Sequence, residues 1–216
     1  MLATYLSKEE SLIRKNILKM GHETCQAIEK AMLCYKSSNP VLADEIIKND
    51  KVINELEIRV EHECIKTISR QQPVAKDLRE LLADMSIAKE LERIADYATS
   101  IAKIVKKEIV NDPEIESEVL IMAQKCIFML NQILINYAEQ DAKKASKIAL
   151  LDDEIDIMEH NLNDKVFKLM TSNPSKAISY TYQLWIIHQI ERIGDRVTNI
   201  AESIVFLSDG KVVNFD

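Results

Sequence analysis

The sequence predicts an all-α protein of two tandem three-helix bundles, and three observations lead there. The first is the scarcity of glycine: 216 residues hold three glycines and four prolines, with aromatics at 5%. Turn-rich sandwiches and barrels need glycine at positive φ, and nucleotide-binding α/β folds need it in phosphate loops; this chain has too little for either. The second is a balance of 29% charged to 47% hydrophobic residues, which suits amphipathic helices with solvated outer faces and opposes disorder. The third is an internal repeat. Leu91 to Lys103 reads LERIADYATSIAK and Ile190 to Glu202 reads IERIGDRVTNIAE, sharing Glu, Arg, Ile, Asp, Thr, Ile and Ala at an offset of 99. At an offset of 102, Asp50, Ile53, Leu56 and Glu57 align with Asp152, Ile155, Met158 and Glu159. Such self-similarity marks a duplicated supersecondary unit, with halves at 1–110 and 111–216.

Helical patterns run over 8–36, 41–69, 74–109, 114–139, 141–171 and 175–207. Prolines punctuate them, because the residue before proline leaves the helical region and proline itself suits a first turn. Pro40 and Pro113 stand ahead of the second and fourth helices; Pro73 and Pro174, 101 residues apart, stand ahead of the third and sixth. On the third helix Ile87, Leu91, Ile94, Ala98, Ile101 and Val105 fall within one arc, and Ala88, Ala95 and Ala102 beside them permit close helix approach. The fifth carries the copy of the second. On the sixth, Trp185 within the run Leu184 to Ile187 reads as core. Gly194, where the first half has Ala95, costs about 1 kcal/mol inside a helix and is explained by close packing or by room for a metal or partner. At 1.5 Å per residue these helices are roughly 40–50 Å long, too long for globin-like packing. Two antiparallel three-helix bundles, side by side or end to end, are the natural solution.

Charge and cysteine usage narrow the function. The net charge is −7, and no cluster of Lys and Arg makes a phosphate-tracking stripe, so direct nucleic-acid binding is disfavoured and cations or basic surfaces are the better partners. Cys25, Cys34, Cys64 and Cys126 form no CxxC pair and read as packed, reduced thiols of a cytoplasmic protein. The start lacks a signal pattern, and no apolar run approaches the roughly 18 residues of a membrane span. Membrane association is expected to be peripheral only.

Acids on the helix flanks are the informative chemistry. Glu92 and Asp96 lie about 100° and 140° from the centre of the third helix's apolar stripe, where a neighbouring helix packs. Asp50, Asn54, Glu57 and Glu61 occupy the same sector of the second helix, and Asp152, Asp156, Glu159 and Asn163 occupy it in the second half, facing Glu191 and Asp195. Side chains three and four apart on one helix are neighbours. Two such rows packed together raise carboxylate pKa values or recruit a counterion, and a hard cation with oxygen ligands is the efficient answer. A lone ExxxD carries little weight; its repetition inside ERI(A/G)D raises it. From the residues alone, a metal site and a solvated acidic stripe both stand.

Other motifs are weaker. His22, His62, His160 and His188 form no HxxxH pair and complete no Glu-x-x-His pattern of di-iron bundles, so they read as packed or exposed residues. His160, beside Glu159, is the one nearest a candidate ligand in sequence. There is no nucleophile elbow, phosphate loop or zinc-like Cys/His spacing, and catalysis would have to work through metal-bound water.

The chain resembles the PhoU family over essentially its whole length. The resemblance is carried by LIRKNILKMGHET at Leu12 to Thr24, QQPVAKDLRELL at Gln71 to Leu82, LERIAD at Leu91 to Asp96 and IERIGDRVTNIAE at Ile190 to Glu202. It implies tandem three-helix bundles whose paired E(D)xxxD motifs hold metal clusters on the bundle surface: Glu92 and Asp96 with Asp50 in the first half, Glu191 and Asp195 with Asp152 and Asp156 in the second. Asn54 replaces an acid of the first pair, leaving one charge fewer, and Ala95 replaces the motif's usual glycine. The metal is iron, zinc, manganese, magnesium, calcium or nickel, which oxygen ligands alone do not separate. The implied role is a cytoplasmic, non-catalytic restraint on phosphate import and the phosphate-starvation response. The implied partners are the phosphate ABC transporter, especially its ATPase subunit, and a sensor histidine kinase, with a homodimer favoured by two-fold prevalence. Arg93, Arg192 and Arg196 are either contacts for an acidic partner or solvated i,i+4 pairs. The same carboxylates also allow a metal-dependent hydrolase, and the helical frame an adaptor for a different transporter.

Overall fold

Residues 2–107 and 112–215 are described in the computed structural model, with side chains from Lys8 onward. Among the described residues seven α-helices follow one another: α1 (Leu2–Ser37), α2 (Pro40–Gln71), α3 (Lys76–Val105), α4 (Pro113–Glu139), α5 (Ala142–Ala149), α6 (Asp152–Ser172) and α7 (Ala177–Asp209), with a 3-10 turn at Pro174–Lys176 before the last. Their starts follow local chemistry. The Asn39 side chain accepts from the Val41 and Leu42 amides ahead of α2, and Asp112 accepts from Glu114 ahead of α4, each with proline in the first turn. Such caps satisfy amides that a helix leaves orphaned. Gly210, at φ 69°, closes α7 in the left-handed conformation that glycine takes without a Cβ penalty.

Two expected elements differ. The fifth helix, expected unbroken over 141–171, is α5 and α6, separated at Leu150 and Leu151. The backbone tightens there, with the Leu151 amide bonding Ile148 and the Glu154 amide bonding Leu151. Asp152, Asp153 and Glu154 fill the first turn of α6 and Lys147 the last turn of α5, charges that favour separate helix ends over one continuous dipole. The third helix ends at Val105; its expected continuation through 108 and 109, and the expected junction of the halves at 110/111, lie outside the described residues.

The halves lie side by side and share one core. Helices α1, α3, α7 and α4 close into a central ring of four, with α2 packed on α1 and α3, and α5 and α6 on α4 and α7. Helices α3 and α7 run antiparallel: Tyr97 meets Arg192, Glu90 meets Arg196 and Asn199, and Ser86 meets Ser203. Helices α1 and α4 do likewise, with Arg14 over the Tyr137 ring at one end and Cys25 near Asn131 further along. Gly21 sets that approach, because a Cβ there would stand 2.5 Å from Leu134 Cδ2. The predicted α3 stripe and the three alanines beside it are all buried, and all four cysteines are free and buried.

Trp185 departs from its expected place in the core. It is 53% exposed while Ile186 and Ile187 are fully buried, since one residue step turns a helix by about 100°; its ring sits edge-on to Tyr182 at 5.4 Å. Helix α4 also departs from expectation, being long and apolar enough by length and composition to cross a membrane. It packs against α1, α5, α6 and α7, with 44% of its apolar stretch buried and Ile121, Phe128 and Ile135 left exposed.

A polar network crosses the junction of the halves. Asp84 of α3, 1% exposed, accepts a 2.6 Å hydrogen bond from the Tyr137 hydroxyl of α4. Arg14 lies over the same ring and pairs with Glu80. Burial raises the Asp84 carboxyl from 3.8 to about 7. Its folded pKa is raised, so its stabilising contribution is complete below the unfolded value and is lost as pH climbs toward 7. Asp84→Asn, which keeps an acceptor for Tyr137, is therefore expected to be more stable than the parent at pH 8 by upward of about 1 kcal/mol, with the gap narrowing toward pH 5 in urea unfolding. Tyr137→Phe, which removes the donor, should cost about 1–3 kcal/mol.

Candidate metal centres

Each acidic row is built by a helix pair, α2 with α3 and α6 with α7, and the pairs are anchored alike. In the first half the buried Thr99 hydroxyl donates to Asp50 Oδ1 at 3.1 Å; in the second the buried Thr198 hydroxyl donates to Asp152 Oδ2 at 3.1 Å. These threonines orient the first acid of each cluster, and sequence reasoning did not place them at the sites. Their signal was present, since Thr is among the residues the two halves share.

In the first cluster Asp50, Asn54, Glu57 and Glu92 are half-buried and Asp96 is exposed. Burial raises the pKa of Glu92, and the neighbouring charges of Asp96, Glu57 and Asp50 raise it further; burial and Asp50 do the same for Asp96. Glu57 is raised by burial and by Glu61, while the Lys89 ammonium acts in the opposite direction. Asn54 Oδ1 is buried and accepts no hydrogen bond.

The second cluster is tighter. Asp152, Glu159, Glu191 and Asp195 are half-buried and Asp156 is exposed. Burial, then Asp195 and Glu159, push Glu191 up to about 7, with Arg192 opposing and Asp156 adding. Glu191 Oε2 is buried without a hydrogen bond, although His188 Nδ1 stands 3.2 Å away in ion-pair range. His188 Nδ1 is also 3.4 Å from Glu159 Oε1. Among the described residues, Glu159, His188 and Glu191 are the trio whose ligand atoms lie within 4.8 Å of one another; Asp50, Glu57, Glu92 and Asp96 are not drawn that close. His188 rather than His160 thus joins the acids, and His160 faces Asp164 at 3.9 Å on the exposed surface. Reading the spacing backwards, as His-x-x-Glu from 188 to 191, would have found it.

The residues fit a bound cation on three counts. An oxygen of Glu191 is buried without a hydrogen bond, the ligand set is rich in carboxylate, and Gly194 forms a cradle. A Cβ at Gly194 would stand 2.3 Å from Asp152 Oδ1, so glycine lets that carboxylate approach α7. The arginines are committed within the chain: Arg196 is nearly buried against Glu90 at 3.4 Å, and Arg192 pairs with Asp195 at 3.3 Å while meeting Tyr97 of α3. Arg196 is therefore not the exposed contact expected of one reading, whereas Arg192 keeps 37% of its side chain exposed.

Fold and site together define a tandem-repeat helical protein with duplicated carboxylate clusters on its helix flanks. The family model described as the PhoU domain matches twice, over residues 17–105 and 119–204, and the chain belongs to the PhoU family. It is 31% identical over 206 residues to a phosphate-specific transport system accessory protein PhoU homolog of Clostridium acetobutylicum, covering 94% of each chain. It is 35% identical to the homolog of that name from Zymomonas mobilis, covering 92% of this chain and 84% of that one. The crystal structure of the phosphate transport system regulatory protein PhoU from Streptococcus pneumoniae superposes with a TM-score of 0.89 at 28% identity, covering 97% and 99%. That of PhoU from Pseudomonas aeruginosa gives 0.91 at 26%, covering 95% and 99%.

Gly194→Ala tests the cradle. Alanine gains about 1 kcal/mol of helix propensity over glycine but displaces the Asp152 carboxylate. The expected outcome is a thermal midpoint at or above that of the parent together with weaker metal binding in a calorimetric titration.

Proposed function

We propose that the chain is a non-catalytic accessory regulator of phosphate-specific transport, in which cations held at the two carboxylate clusters complete an adaptor surface on units 1–110 and 111–216. The observation that carries the reading is the double match to the PhoU domain, together with relatives of nearly equal length that bear the name of transport-system accessory proteins. The reading extends to negative regulation of phosphate uptake and the starvation response, exerted from the cytoplasm as a homodimer on a transporter ATPase subunit and a sensor histidine kinase. Asp50, Glu57, Glu92 and Asp96 with Asn54 would hold metal in the first half; Asp152, Asp156, Glu159, Glu191 and Asp195 would hold it in the second. Bound cations offset the mutual repulsion of these carboxylates and stiffen the helix pairs.

Surface geometry favours an adaptor over a hydrolase. The cavity beside Asp50, between α1 and α2, is lined by Glu23, Lys30, Asn49 and Thr99 among others, but by none of Glu57, Glu92 or Asp96. A second surface cavity holds Glu57 and Glu61 beside Lys89 but neither Glu92 nor Asp96, so a substrate seated in either would meet cluster carboxylates of α2 alone rather than the two facing rows.

Protein dialysed without chelator is expected to retain metal by elemental analysis and to capture transporter or kinase components more strongly at high phosphate. Glu191→Ala combined with Asp195→Ala should reduce both; unchanged metal content and capture would refute the reading. Chelation should also expose a pH dependence. The raised Glu191 pKa makes its contribution complete below its ordinary value and lost as pH rises through about 7. Metal-free protein should therefore lose stability from pH 6 to 8, and less steeply as Glu191→Gln.

A further inference from the structure

The duplication aligns the two clusters residue by residue, and at one position their chemistry diverges. His188 stands three residues before Glu191, and at the offset of 99 Lys89 stands three residues before Glu92. Each faces the aligned carboxylate of the neighbouring helix. His188 Nδ1 lies 3.4 Å from Glu159 Oε1, and Lys89 lines one surface cavity with Glu57, the residue aligned with Glu159. The same place in the frame thus holds an imidazole in one half and an ammonium in the other.

We propose that the two clusters are distinct metal sites: the second, through His188, takes a borderline divalent transition ion such as Zn2+ or Ni2+ on nitrogen and oxygen together, while Lys89 keeps the first an oxygen-only site of lower affinity. The proposal rests on the metal-binding reading above and adds selectivity to it.

Three features make the difference. A neutral imidazole presents a lone pair and suits zinc, copper, iron and nickel, whereas carboxylate and carbonyl oxygens suit magnesium, calcium and manganese. A protonated lysine has donors and no acceptor, so Lys89 cannot ligate in that state and instead cancels one negative charge. The first cluster then sets Asp50, Glu57, Glu61, Glu92 and Asp96 against one ammonium, with Asn54 neutral; the second sets Asp152, Asp156, Glu159, Glu191 and Asp195 beside a histidine, with Asn163 neutral, so the halves match in number of acids and differ in the group that faces them. Arg93 and Arg192 follow the motif glutamate in both halves and do not distinguish them. Finally, Asp152 approaches α7 across Gly194, where a Cβ would stand 2.3 Å from its oxygen; the buried Ala95 carries that Cβ in the first half. The trio Glu159, His188 and Glu191 is already gathered within 4.8 Å, and the exposed imidazole is open to an arriving ion.

The test is a calorimetric titration of chelator-stripped, full-length protein with Zn2+ and separately Ni2+, each in excess Mg2+, with the Co2+ complex read by visible and X-ray absorption for a nitrogen donor. The parent should show one tight class for the transition ion that Mg2+ does not displace, with a nitrogen ligand. His188→Lys, which copies the first half, should weaken that class by more than the roughly 10–100-fold that outer hydrogen-bonding partners of a ligand are worth, and should lose the nitrogen signature with circular dichroism unchanged. Lys89→His should add a second tight class. Equal affinities and spectra in the parent and His188→Lys would overturn the proposal while leaving metal binding intact. Failure of the parent to bind any of Zn2+, Ni2+, Co2+ or Mg2+ would overturn the metal reading itself, and the selectivity with it.

Discussion

The close antiparallel packing of α3 on α7 is the constraint on which the rest of the structure depends. Helices of this length hold together only if their contact runs the length of the seam, since isolated helices draw little stability from propensity alone. The small, buried Ala88, Ala95, Ala102 and Gly194 let neighbouring backbones approach α3 and α7, and the large aliphatic residues between them fill the core. Once these two helices are fixed, α2 and α6 have one apolar face left on each to cover. Covering it brings carboxylates on the flanks into apposition. The acidic clusters are in this sense a by-product of helix packing.

That apposition has a cost, visible in the direction of the titrations. Burial comes first among the causes raising Glu92, Asp96 and Glu191, and neighbouring acids come next. Surface carboxylates in water would not behave so. Each half meets the cost with a hydroxyl anchor, Thr99 or Thr198, that holds one acid in place and supplies a hydrogen bond to its charged form. The remaining repulsion is met locally by Lys89 and Arg93 in one half and by Arg192 in the other, and Arg192 shares its guanidinium with Tyr97 of α3. The second cluster is thereby tied to the helix of the first half.

Much of this was legible in the sequence, and what was not has identifiable causes. The apolar stripe of α3 emerged residue for residue, because a period of 3.6 over a long helix leaves little freedom. The flanking positions of the acids followed from the same geometry. The break between α5 and α6 was missed because Leu150 and Leu151 continue an apolar pattern, and only the balance of charge at two helix ends favours interruption there. Trp185 was misplaced because a run of apolar residues does not say which members turn outward; Ile186 and Ile187 take the core and leave their neighbour outside. His188 escaped notice because its partners come from two helices, and Glu159 is remote in sequence though near in space.

Duplication explains why the two halves can differ in chemistry without differing in shape. The positions that set the frame are shared: the threonine anchors, the motif acids and the aliphatic stripe. Lys89 and His188 are both exposed, so lysine and histidine are interchangeable there as far as packing is concerned. Position 95/194 is different, being buried in both halves. There a methyl group decides how near the facing aspartate comes, so a change of one carbon alters the site while the helix remains intact. Chemical divergence is therefore easiest at the exposed rim, where Lys89 and His188 sit, and hardest along the α3 and α7 seam, where it would disturb both halves at once.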